Sequence, residues 1–169
     1  MARIKFFFLF LCVSSVSLAQ IKNYDQDVKS VDSIIASLYN VISGEAGVAR
    51  DWDRFKNLFS PEARLIPTRK DENGKLITKT MSPEEYIQFF TPRVSSGFFE
   101  RELNRKTEEY GTIAHVFSTY ETKEKKEGPV TNRGINSLQL FKDKDRYYIV
   151  NVYWCAESMG FALPAKYLK

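Results

Sequence analysis

The chain has 169 residues, of which 43% are hydrophobic, 14% aromatic and 27% charged. That is the length of one domain with a short extension, and a composition that excludes disordered, collagen-like and multi-spanning membrane classes. Its 25 basic and 21 acidic residues give a net charge of +4, and the densest charged run, Lys123-Glu124-Lys125-Lys126-Glu127, mixes both signs; a nucleic-acid binder needs clustered Lys and Arg on one face.

Arg3 and Lys5, the apolar run Phe6–Val13 and the ending Ser17-Leu18-Ala19 follow the charged, apolar and small-residue order of a secretory signal. The apolar stretch from Phe6 to Ala19 is 14 residues, whereas a membrane-spanning helix needs about 20. Cleavage is predicted after Ala19, so the mature chain starts at Gln20 and keeps no membrane anchor. It is exported, to a periplasm or beyond the cell. Leu11 before Cys12 is not the small residue a lipoprotein cut requires. Losing Arg3 and Lys5 lowers the net charge to +2 and leaves Cys155 as the one cysteine, which forms no internal disulfide and reads as a small buried hydrophobe.

Val28, Val31, Ile34, Ile35, Leu38, Val41 and Ile42 make one stripe of an amphipathic helix, stopped by Gly44 and Gly47. Asp51 caps a second helix with Trp52, Phe55, Leu58 and Phe59 on one face, ended by Ser60-Pro61. Asn73-Gly74 joins residues 63–67 and 75–80 as a short hairpin. Ser82-Pro83-Glu84-Glu85 is a capping box that opens a third helix reaching Phe90. Four long strands follow at 98–109, 112–124, 130–142 and 146–156, with connections short enough to make neighbours antiparallel. The last is apolar on both alternations, which predicts a central strand covered on both faces. One α+β domain thus occupies residues 20–156, followed by a tail, 157–169.

The order of elements resembles the nuclear transport factor 2-like superfamily, through Arg50-Asp51-Trp52-Asp53-Arg54-Phe55, Leu58-Phe59 and Ala63-Arg64-Leu65. The segments 114–121, 133–140 and 163–168 look like an exported bacterial group within it. The resemblance implies a curved antiparallel sheet wrapped around N-terminal helices as a cone, with an aromatic and apolar pocket at its open end. It covers ketosteroid isomerases, polyketide cyclases, dehydratases, carriers and interaction modules, so fold alone selects no function.

His115 is the one histidine, placed with Ile113, Phe117 and Thr119 on one strand face, and is the one side chain whose ordinary pKa lies near neutrality. Arg133, Ile135, Ser137 and Gln139 share a face of the next strand, and Asn136 sits with Leu138 and Leu140 on the other. Polar groups on covered strands need partners, and a ligand is one candidate; Glu121 is the alternative for Arg133. Asn151 raises the same question among Tyr147, Ile149 and Tyr153. The candidate pocket is therefore Tyr120, Arg133, Asn136, Gln139, Asn151 and Trp154, with His115 as candidate base. Asp51 and Asp53 read as helix-start residues, and Ser118 and Ser137 lack the turn of a hydrolase nucleophile. No metal site and no cofactor are expected.

The first reading is a pocket for a small, largely apolar molecule. The second is an isomerase, cyclase or lyase in which His115 removes a proton beside a carbonyl while Tyr120 or Arg133 stabilises the enolate. The third is a homodimeric interaction module using the open sheet face.

Overall fold

The computed structural model describes residues 22–169; the predicted leader, 1–19, and its cleavage point lie outside the described residues. Helix α1 (Val31–Ile42) starts later than its apolar stripe suggests, because Val28 closes a separate 3-10 turn, Asp25–Val28. Ser30 caps α1: its hydroxyl accepts the Ser33 amide, and the Ser33 hydroxyl accepts the Ser30 amide. This satisfies two amides that the first helical turn leaves unpaired. Asp51 caps α2 (Trp52–Asn57) through the Arg54 amide. Ser82 and Glu85 complete the expected box at the start of α3 (Pro83–Phe90).

The strands are β1 (Phe59–Lys70), β2 (Leu76–Thr78), β3 (Phe99–Tyr110), β4 (Ile113–Lys123), β5 (Val130–Asp143) and β6 (Arg146–Ala156). They form an open mixed sheet in the order β2-β1-β6-β5-β4-β3. β1 runs through Ser60-Pro61, the expected stop. Its register against β6 jumps between Phe59 and Arg64, and such an irregularity is where a proline, which donates nothing to a ladder, is tolerated. The hairpin pairs at Thr68, Arg69 and Lys70, beyond the expected strand end. β1 lies parallel to β6, so β6 is interior as predicted, but its second face is open: Val150 is 37% and Tyr153 42% exposed.

The helices pack on the other, inner face. Ile34, Ile35 and Leu38 of α1 and Phe55 of α2 join Val116, Leu138, Ile149 and Val152 of β4, β5 and β6 in one buried cluster. Register shifts within β3, β5–β6 and β1 bend the strands around it. After β6 the chain makes a 3-10 turn, Glu157–Met159, and then crosses the outer face. There the Tyr167 ring packs 5.3 Å from Phe117, the Asn104 side chain bonds the Lys169 carbonyl, and Thr119, paired with Asn104 in the ladder, is only 1% exposed.

Candidate functional site

Between the inner sheet face and helices α1 and α3 lies a cavity of about 320 Å³, bordered by Leu38, Tyr86, Phe90, Tyr120, Trp154 and Glu100 among others. Its size is at the lower end of small-molecule pockets, about 300–1,000 Å³. The aromatic wall is ordered by ring contacts: Tyr86 stacks on Phe55 at 5.3 Å and on Phe90 at 5.5 Å, and meets the Trp154 ring edge-on at 6.1 Å. Such pairs add about 1 kcal/mol each beyond the area they bury, so the wall is preformed.

Among the described residues, Glu100 is the one carboxyl bordering this cavity. Protein atoms crowd around it and push its pKa up to about 8, because burial penalises the charged form; the Asn136 amide, whose Nδ2 donates to Oε1 at 3.4 Å, opposes this only in part. Glu100 is nevertheless only part-buried, since it also borders a polar groove shared with Tyr39, Ser43 and Glu102. Glu100 thus borders both the apolar cavity and the polar groove. Burial holds the carboxyl toward its protonated form, in which it can donate a hydrogen bond.

Asn136 is held by a chain whose direction can be worked out. Ser118 spends its single proton on Glu102 Oε1, at 2.6 Å. It must then accept from the Tyr39 hydroxyl at 2.7 Å, and Tyr39 in turn accepts from Asn136 Nδ2 at 3.0 Å. Arg105 anchors the far end through Glu102 at 3.1 Å. Every proton in the chain points away from the cavity, so the second N–H of Asn136 is left for Glu100. Burial raises the pKa values of Tyr39, Tyr86 and Tyr120, which keeps all three hydroxyls protonated. Those of Tyr86 and Tyr120 have no hydrogen-bond partner among the described residues.

Of the residues singled out from sequence, the structure brings Tyr120, Asn136 and Trp154 together at the cavity. His115, Arg133, Gln139 and Asn151 are not there. His115 lies on the outer face, bonded through Nε2 to Ser137 Oγ at 3.1 Å and paired in the ladder with Gln139. It therefore does not reach the cavity; the carboxyl that does border it is that of Glu100. Arg133 does not pair with Glu121: it reaches Glu157 at 2.8 Å, while Glu121 takes Arg101 at 2.7 Å. Asn151 points outward because the ladder slips between Gln139 and Leu140, leaving Val150 unpaired and turning Asn151 away from the face that holds Tyr147 and Ile149. Sequence reasoning missed Glu100, Tyr39 and Tyr86. The available signal for Glu100 was its two-residue spacing from Phe98, which places a carboxylate on an aromatic strand face. Among the described residues no group of three or more His, Cys, Asp or Glu side chains is placed to hold a metal ion.

No protein-family model matches the chain, and no curated protein sequence does. Solved structures do match in shape. A protein of unknown function with a cystatin-like fold from Nostoc punctiforme superposes with a TM-score of 0.58 at 12% identity, over 75% of this chain and 87% of that one. A putative dehydratase of the nuclear transport factor 2-like family from Streptomyces avermitilis gives 0.54 at 11% identity, over 78% and 96%. A putative calcium/calmodulin-dependent protein kinase II association domain from Xanthomonas campestris gives 0.50 at 16% identity, over 73% and 79%. Element order, inner-face helices and these superpositions agree that the chain has the nuclear transport factor 2-like, or cystatin-like, cone fold.

Proposed function

We propose that the protein binds a small, largely apolar molecule in the cone cavity, with Glu100 as its polar recognition group. The observation that carries this reading is a carboxyl set in an aromatic cavity wall, where burial raises its pKa, in a lining that also holds two tyrosines whose hydroxyls have no hydrogen-bond partner among the described residues. The aromatic interior of such a site disfavours a charged group next to Glu100 and rewards a ligand that brings a carbonyl or hydroxyl oxygen there to accept the Glu100 and tyrosine protons. We also propose that the chain is exported as the fragment beginning at Gln20, to a periplasm or beyond the cell.

One measurement addresses both. Native mass spectrometry of protein from its own host is expected to give the mass of a chain starting at Gln20, with an added small molecule that disappears in Ala156→Phe, a change that fills the cavity from β6. A bare mass from every preparation counts against the binding reading; an intact N-terminus counts against export.

The pKa of Glu100 favours a second reading, proton transfer at carbon. A general base works best when its pKa is near the working pH, and Glu100 has the Tyr86 and Tyr120 hydroxyls nearby to hold an enolate oxygen. Exchange of a carbon-bound hydrogen for deuterium in a bound ketone would be abolished by Glu100→Gln and unchanged by His115→Ala.

A further inference from the structure

Arg69 from the end of β1 and Arg93 from the turn after α3 both border the cavity, and both lie against one ring: their guanidinium carbons are 5.4 and 4.1 Å from the centre of Phe89. Neither has a carboxylate partner among the described residues; the Arg93 side chain donates only to the Phe89 carbonyl, at 3.1 Å. Two like charges held on one ring without a counter-charge repel each other, a cost that an anion placed beside them removes. Arginine's planar fork suits a carboxylate or sulfonate, and stacking on Phe89 holds the fork in place.

The interior has the opposite character: its walls are mostly aromatic and aliphatic, and a charged group placed among them would lose its hydration with no cation beside it. A ligand carrying an anionic group must leave that group at the arginines. We infer that the cavity takes an amphipathic organic anion, with its apolar body among the aromatic rings and its carboxylate- or sulfonate-type head at the Arg69–Arg93 pair. This rests on the binding reading above and names the ligand class for the same cavity.

The test uses two fluorescent probes that share one apolar body: 8-anilinonaphthalene-1-sulfonate and its neutral parent, N-phenyl-1-naphthylamine. The sulfonate is expected to bind at least tenfold more tightly than the parent at low salt. An Arg69→Gln, Arg93→Gln double variant should lose that advantage while binding the neutral probe as before, and Ala156→Phe should abolish both. Equal affinities for the two probes, or equal weakening of both in the arginine variant, would overturn the anionic-head inference while leaving the cavity reading standing. If neither probe binds, or if Ala156→Phe changes neither, the cavity reading itself falls and takes this inference with it.

Discussion

Burial acts on Glu100 in one direction, and the pH dependence follows with its sign. The folded protein holds this carboxyl protonated up to about pH 8, whereas the unfolded chain releases the proton near the ordinary value of 4.5. Between those limits the native state binds more protons, so Glu100 lowers stability progressively as pH rises from 4.5 through 8. Glu100→Gln, which stays neutral, should melt with wild type at pH 4 and be more stable at pH 9, by on the order of 3 kcal/mol. Thermal unfolding across that range checks it; a constant difference at every pH would mean that the carboxyl is not buried in the charged state's sense. His115 shows why the sequence pointed elsewhere. Strand alternation tells which residues share a face, and it grouped His115 with Ile113, Phe117 and Thr119 correctly. It does not tell which face is inside when both carry apolar residues, as Ala114 and Val116 do opposite Phe117.

The segment joining α1 to α2 shows how one side chain can organise a connection between elements. Arg50 is buried at 7% exposure and gives its guanidinium to backbone carbonyls alone: Ile42 at 2.9 Å, Gly44 at 2.7 Å, and Val48. It thereby caps the Ile42 carbonyl that the end of α1 leaves free and ties down carbonyls of the connection that follows. Gly44 is part of the same fit, since a Cβ there would lie 2.6 Å from Arg50 Nη1. Arg50→Met keeps the length and removes the donors, so several carbonyls lose partners at once. A loss of about 3 kcal/mol is expected in denaturant unfolding, and a loss below about 1 kcal/mol would show that water replaces the guanidinium. At this scale the sequence was most legible where local chemistry dominates: the caps at Asp51 and Ser82, the Asn73-Gly74 turn, and four long strands. It was least legible where a strand changes register. Asn136 on β5 was placed with Leu138 and Leu140 because the alternation there is unbroken; Asn151 was misplaced because an unpaired Val150 resets the alternation on β6. The parallel pairing of β1 with β6 joins segments far apart in sequence, which no local pattern encodes.

The whole molecule has an inner side covered by helices, with the cavity between them and the sheet, and a partly open outer one. Ile113 is 61% and Phe141 42% exposed, together with Val150 and Tyr153, while the tail covers the region around Phe117 and Thr119. We propose that a second copy associates through this open region, and sedimentation velocity should show a dimer that Ile113→Lys with Phe141→Lys converts to monomer; monomer in the wild type at high concentration would remove the proposal. Glu100 borders the apolar cavity on one side and the polar groove beside Tyr39 and Ser43 on the other. On the binding reading proposed above, a molecule seated in the cavity would meet Glu100 from one side and leave the groove side open, so loading would not by itself seal this residue from solvent, and ambient pH would bias retention of the ligand without the cavity having to empty first.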